Sequence, residues 1–467
     1  MINKSMKSRL YCCLSIGIPF AITLFYVWST AADVAFRDDM YLIKGGFVEH
    51  YCNGTLTFAD LWRPAAYTRI LGYNLVQLVN IKCFGMNSKI IVLFIPFLML
   101  GAVLLVYRDY YHSLSPECSS KFITASFIMV SLTIFNLVQW EGLTFSYDFV
   151  FQAPMPFFIA SFICLELFLT KGRAQDWPMA FILPILAILI FGGTYSFSFS
   201  FALGTTFLCY VVTRSHTLTK AFWLRVMIMV VFLAALAFVY MYDIHKNDYF
   251  PDSSHHAATV LNNPLQALRF LLAAFGASVV GVNAANIFVP FAGMVAIGLF
   301  VVICYGLGLY LFIKSKLYEK SYLPFYLITQ SFFYLVFMMI GRFGYGIDYG
   351  MASRYTCVSV YGLVGIIWVI IFFLVHSENM KPFQRILLYM PVAVILSGVI
   401  VTSIVEWKIQ PHRRAYFQNL QEIALRVDTA TDEELSKFEE RPAVVRQALK
   451  VLRDCNLNVY RQTSESP

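Results

Sequence analysis

Stretches of about twenty apolar residues recur along this chain, and they constrain its fold more than any other feature. A run of that length crosses roughly 30 Å of hydrocarbon as an α-helix. The runs are Leu10–Ala32, Ser88–Val106, Phe122–Val138, Val150–Leu169, Pro178–Phe191, Phe199–Val212, Ala221–Met241, Ile287–Ile313, Ser321–Ile340, Thr356–Val375 and Arg385–Val405, about eleven spans in all. Of the 467 residues, 59% are apolar and only 13% are charged. An ordinary soluble domain carries about twice that charged share. Too little polar surface exists to cover a water-soluble globule, so a soluble enzyme, a disordered chain and a nucleic-acid binder are excluded. A transmembrane β-barrel would show short alternating strands, and none are legible. The expectation is an all-α, polytopic transmembrane helical bundle with the lipid bilayer as its first partner.

The net charge of +8 belongs to the connections. Lys and Arg mark cytoplasmic loops. Lys4, Lys7 and Arg9 precede the first run. That run ends near Ser29-Thr30-Ala31-Ala32, which resembles a signal-peptide cleavage site, but it is longer than a signal-peptide core. It reads as an uncleaved helix with its N-terminus in the cytoplasm. The segments Arg108 to Lys121, Lys171 to Arg173, Arg214 to Arg225, Lys314 to Lys320 and His376 to Arg385 are short and basic, and read as cytoplasmic. Asp33–Asn87, Gln139–Phe149, Gly192–Ser198 and Tyr242–Pro264 are longer or richer in acids, aromatics and His, and read as external. Leu265–Gly281 decides the parity. If it spans, Lys314, Lys316 and Lys320 fall outside, against the positive-inside pattern. It is therefore expected to be a re-entrant or interfacial helix on the outer face, which survives at membrane depth only when protein or a wet cavity surrounds it.

At residue 406 the composition changes. Residues 1–405 read as the membrane domain, with 33–87 as its outer loop, and 406–467 as an external helical tail. Thr431-Asp432-Glu433-Glu434 has the pattern of a capping box. Pro442 suits the first turn of a further helix. That helix would turn Val444, Val445, Ala448, Leu449 and Leu452 inward and end near Asp454–Asn456. The tail reads as a small helical cap rather than a catalytic domain.

Residues with chemical potential gather on the outer face. Arg37-Asp38-Asp39 follows the first span, and a carboxylate pair there suits a general base or half a metal site. Helix capping is the plainer reading. Gln139-Trp140-Glu141 closes the third span, with Asp148 and Gln152 beyond. Gly341 to Tyr355 holds Arg342, Asp348 and Arg354 among four glycines. Arginine on an outer face runs against the usual distribution, and its planar fork matches a phosphate, with headgroup anchoring as the alternative. Weaker candidates are Trp62, Arg63 and Arg69, and the group His245, Asp252, His255 and His256, whose adjacent histidines are poorly placed to share a metal. Tyr195, Ser196 and Ser198 suit packing or a cavity mouth, and Asn53-Gly54-Thr55 is a glycosylation sequon with meaning only in a eukaryotic secretory host. The ten Cys form no CxxC pair; Cys52 and Cys83 share the first outer loop, and whether they pair stays open, a disulfide there needing an oxidising face.

With Asp38 and Asp39, then Gln139-Trp140-Glu141, then Gly341-Arg342 and Ser353-Arg354-Tyr355 laid out, the chain resembles the multi-span glycosyltransferases of the GT-C class. The nearest in style are the serotype-converting O-antigen glucosyltransferases of enteric bacteria and phages. The tail ending Leu457-Asn458-Val459-Tyr460 is also similar to theirs. The resemblance implies an enzyme of the bacterial inner membrane, N-terminus cytoplasmic and C-terminus periplasmic. It would move a sugar, glucose by that likeness, from a polyprenyl-phosphate carrier to an O-antigen or other surface glycan. It implies Asp38 or Asp39 as base, with Glu141 orienting the acceptor or assisting a divalent metal. Arg342, Arg354 and Tyr355 would hold the donor phosphate, and Arg37, Trp62, Arg63, Trp140 and Asp348 would contact acceptor or sugar. Whether a metal is needed stays open. The rival readings are a lipid-linked sugar transporter or flippase, an O-antigen polymerase, and a glycan acyltransferase. A transporter should show midplane polar residues and inverted repeats, and no repeat is legible.

Overall fold

The computed structural model describes residues 4–462, apart from 66–67, 116–117, 172–176, 193–195, 216–217, 244–255 and 378–379. It is an all-α, polytopic bundle. Among the described residues ten helices are long and apolar enough to cross a membrane, and each overlaps one of the expected spans. The eleventh, expected at Pro178–Phe191, is a short apolar helix over Trp177–Ile190. Its length is about 21 Å at 1.5 Å per residue, less than the hydrocarbon thickness. Pro184 interrupts its hydrogen-bond ladder, and the final turn, Leu186–Ile190, opens into a π-helix.

The expected re-entrant segment is a broken helix. Pro264–Ala277 and Val282–Phe288 meet at 102°. The first limb packs antiparallel on Phe291–Lys314 through two glycines. A Cβ on Gly276 would lie 2.4 Å from the Met294 carbonyl oxygen, and one on Gly298 would lie 1.7 Å from that of Leu272. No other residue permits so close an approach. At the bend, the Gly281 N–H donates to Thr402 Oγ1 at 3.0 Å, tying the turn to the last span.

The connections sort to two ends as their charge predicts. At one end Ser321 donates to Asp109, Arg214 reaches the Tyr318 carbonyl, and Arg225 reaches that of Phe168. Here lie described residues of the basic loops. At the other end lie the 31–87 segment, the broken helix, the Gly341–Tyr355 loop and the tail. The start of the first helix and the tail thus occupy opposite ends. Among the spans, Thr356–His376 is buried along nearly its whole length, while Lys220–Met241 turns most of its surface outward.

The last span does not stop at residue 405. One helix runs from Pro382 to Leu425, about 66 Å, and carries the chain clear of the bundle. The Thr431 capping box forms, and Pro442 opens the helix Pro442–Asp454. Val445, Ala448, Leu449 and Leu452 of that helix are buried as expected, while Val444 is only partly buried. Their partners are residues of the first outer segment, among them Val34, Phe36, Met40, Ile43 and Phe47, so tail and first loop share one apolar core. Asn458 closes the joint. Its side-chain amide donates to Asp33 Oδ1 and the Met86 carbonyl, and its Oδ1 accepts from the Ala35 N–H. Arg461 pairs with Asp33 at 2.6 Å.

Cys52 and Cys83, whose pairing the sequence leaves open, do not pair. Cys52 bonds to Cys455, 403 residues away, with Cα atoms 6.1 Å apart, and Cys83 is free and exposed. The tail folds back over the first loop and brings Cys455 to Cys52, a proximity that sequence spacing does not encode.

A second buried link is the Glu406–Arg413 ion pair at 2.7 Å, with both side chains at 7% exposure or less. Arg413 also donates to Tyr26 and covers the Trp140 ring at 3.5 Å, while Asn283 donates to Glu406.

Two outcomes are expected. Peptide mapping without reduction should find Cys52 linked to Cys455 and Cys83 open to maleimide; a Cys52–Cys83 link would refute the tail docking. Arg413→Met leaves Glu406 buried without its cation, which typically costs about 3–5 kcal/mol. Thermal melts in detergent should show that loss, and adding Glu406→Gln should recover much of it.

Candidate active site

Where the first loop, the Gly341–Tyr355 loop and the tail meet, they enclose a cavity of about 570 Å³. Three different chemistries line it. Its floor is apolar, formed by Ala65, Ile70, Val150, Phe151 and Phe337. One wall carries Arg342 and Arg354 with Tyr345, Tyr349 and Tyr355. Its outer rim holds Arg37, Asp38 and Tyr41 from the first loop, and Tyr416, Lys437, Glu439 and Glu440 from the tail.

The Asp pair divides its labour. Asp38 lines the cavity. Asp39 is buried behind it, at 1% exposure. Three donors converge on its carboxylate: Ser146 Oγ at 2.5 Å, Tyr73 Oη at 2.6 Å and the Phe36 N–H at 3.4 Å. Tyr73 is itself fixed by Gln77 at 2.6 Å. Burial pushes Asp39 up to about 6, against the pull of its donors. It is still mostly ionised at pH 7 and acts as the clamp that fixes the turn bearing Asp38. The residue before the pair, Arg37, sits at φ +53°, a left-handed conformation that side chains disfavour. It is held there by its N–H to the Phe438 carbonyl and by its guanidinium to Glu141 at 3.2 Å.

Glu141 does not line the cavity. Its Oε1 accepts from Arg37 and its Oε2 from the Arg354 N–H at 3.2 Å, while Ser353 Oγ accepts from the Glu141 N–H. One carboxylate thereby joins the three sequence clusters around residues 37, 141 and 354. Arg354 lies over the Tyr349 and Tyr355 rings and donates to Tyr349 Oη. Arg342 lies 5.7 Å from the Tyr345 ring centroid.

Other expected contacts stand elsewhere. Trp140 is covered by Arg413, so that ring face is closed to a sugar. Trp62 lies outside the cavity lining, between exposed Phe58 and the Arg69 guanidinium. Arg69 is consumed in structure, donating to the Tyr240 and Trp62 carbonyls at 2.9 and 2.8 Å and so satisfying the end of helix Lys220–Met241. Arg63 lines a separate 40 Å³ cavity, and Asp348 is exposed away from the site. His245, Asp252, His255 and the side chain of His256 lie outside the described residues, as does Tyr195. Among the described residues no cluster of three or more His, Cys, Asp or Glu gathers to hold a metal.

Sequence reading missed the rim from the tail. Lys437, Glu439 and Glu440 sit in a stretch that carries only capping signals. Glu439 accepts hydrogen bonds from Tyr41 Oη and from the Arg441 N–H. Nothing local to the sequence announces that pairing.

Replacing Asp39 tests the clamp. Asp39→Asn leaves one acceptor oxygen where two hydroxyls and an N–H converge, so stability should fall by about 1–3 kcal/mol. The check is a thermal melt in detergent; an unchanged midpoint would remove Asp39 from this role. No protein family matches the chain, and comparison with characterised proteins and with solved structures gives no match.

Proposed function

We propose that this protein is a membrane glycosyltransferase. It takes a sugar, glucose by its resemblance, from a polyprenyl-phosphate donor and passes it to an O-antigen or other surface glycan. The observation that carries the reading is the mixed lining of one cavity: apolar side chains, an arginine–tyrosine group and carboxylates. A lipid-linked sugar phosphate has a part to match each of these. Its prenyl chain suits the apolar floor and the flanking spans. Its phosphate suits Arg342 and Arg354, whose planar forks match phosphate oxygens and would stabilise the carrier phosphate as it leaves. Its sugar then lies toward Asp38.

In this reading Asp38 takes the proton from the acceptor hydroxyl as that oxygen attacks the anomeric carbon and the bond to the carrier phosphate breaks. Asp39 and Glu141 are positioning groups. Asp39 fixes the turn that presents Asp38, and Glu141 fixes Arg37 and the backbone of Arg354. The acceptor enters from the rim, beneath the tail. The cavity-bearing end then faces the periplasm across the inner membrane, and the basic loops face the cytoplasm.

Transfer of labelled sugar in membranes, measured beside donor binding, tests the assignment. Asp38→Asn keeps shape and loses the base, so transfer should fall about 10²–10⁴-fold with donor binding retained. Arg342→Lys and Arg354→Lys keep charge and lose the fork, and each should weaken donor binding by about 1.5–3 kcal/mol. Full transfer in the Asp38 variant would place the base elsewhere. A block in donor movement across the membrane, with transfer chemistry absent, would favour a transporter.

A further inference from the structure

Asp148 lies within electrostatic reach of Arg354 and is assigned no part in the chemistry above. It is 2% exposed, and its Oδ2 is buried with no hydrogen-bond partner. It precedes the short helix Phe149–Gln152 yet caps none of its N–H groups. The buried Nε of Arg354, whose charge acts on Asp148, also has no hydrogen-bond partner. The Arg354 guanidinium is bound by Tyr349 Oη and by ring faces, and Glu141 takes only its backbone N–H. A buried arginine beside a buried carboxylate would ordinarily form a two-pronged ion pair. Here the two are close enough to interact electrostatically and make no such pair.

We propose that Asp148 is a positioning residue that works in its protonated form, leaving the Arg354 guanidinium without a carboxylate partner so that its charge is available to an anion in the cavity. The inference rests on the reading of the cavity as a lipid-phosphate site and adds the state in which that site is competent. An arginine neutralised by a carboxylate attracts phosphate weakly. An arginine flanked by an uncharged acid keeps its full charge, and aromatic faces rather than an anion hold it in place.

The surroundings of Asp148 fit this state. Arg354 from the Ser353–Tyr355 turn, Arg37 and Asp38 from the first loop, and Glu141 from the helix Trp140–Thr144 all face it. Tyr147 beside it and Cys357 from the helix Thr356–His376 complete the set. Burial is the largest influence and opposes ionisation, Glu141 and Asp38 add to it, and Arg354 and Arg37 offset only part. The balance pushes Asp148 up to about 8. A carboxyl titrating near 8 is mostly neutral at pH 7 and mostly ionised at pH 9.

Two measurements test this on the full-length protein in detergent. The first is binding of farnesyl phosphate, a prenyl monophosphate that is already a dianion above pH 7. Wild-type affinity should fall roughly tenfold between pH 7 and pH 9, since a group titrating near 8 is about nine-tenths ionised at 9. Asp148→Asn cannot ionise, and its affinity should stay level over that range. A variant that loses affinity with pH as the wild type does would overturn the proposal. The second measurement is the melting temperature without ligand. A carboxyl whose folded pKa lies above its unfolded value loses stability as pH rises from the unfolded value, near 4, to the folded one, and no further beyond it. Wild type should thus lose ground to Asp148→Asn from pH 5 to pH 8 and hold level above 8. A constant difference would mean that Asp148 is ionised in the folded protein, and the inference would fall whatever the ligand. If the melting pattern appears and farnesyl phosphate binds no variant, the protonated Asp148 stands and the lipid-phosphate reading falls.

Discussion

Glu406 and Arg413 put a full charge pair where almost no solvent reaches, and the cavity-bearing end of the bundle is arranged around it. Desolvating two ions is expensive unless each finds further partners. Here each does: Tyr26 from the first span, the Trp140 ring from the third and Asn283 from the broken helix all contact the pair. These segments lie far apart in sequence, and the pair is satisfied only when all of them are in register. It also lies on the helix that leaves the membrane, so the same contact that locks the bundle sets the direction in which the tail emerges.

From that fixed exit the tail can fold back in one way. Phe417, Leu420, Ile423 and Ala424 of the emerging helix enter the same apolar core as Val34, Phe36 and Met40 of the first loop. The loop alone has too few apolar side chains to bury itself, and so has the tail. Their union holds Phe438 against Arg37 and places Lys437, Glu439 and Glu440 on the cavity rim. The site is therefore built at a joint between two segments, with Glu141 bracing it from a third.

Membrane architecture was legible because hydrocarbon thickness acts locally: each span must satisfy it within its own twenty residues. The broken helix was legible for a related reason, since charge in the loops fixes parity. The segment Trp177–Ile190 was legible as apolar, but a helix of its length is too short to cross the hydrocarbon. The site was legible in part. Arg342, Arg354 and Asp38 stood out as charges in unusual places, and all three line the cavity. Glu141 and Trp140 stood out equally, but their partners are Arg37, the Arg354 backbone and Arg413, which only the tertiary fold supplies. The Cys52–Cys455 bond and the tail's share of the rim depend on contacts across some four hundred residues, and no sequence period carries such information.

The length of that connection has a consequence for biogenesis. The first loop emerges early, but its apolar partner follows 403 residues later, at Cys455 and its neighbours. At about 5–20 residues per second, synthesis takes roughly 20–80 s to supply it. Over that interval Phe36, Met40 and Ile43 have no core to enter, and Cys52 remains a free thiol in sight of other thiols, including Cys83. The cavity cannot exist during this time, because its rim has not been made. Insertion of the early spans and completion of the site are thus separate events, the second waiting on the emergence of Cys455. The waiting loop is where a chaperone or disulfide isomerase acting on this chain would find its substrate.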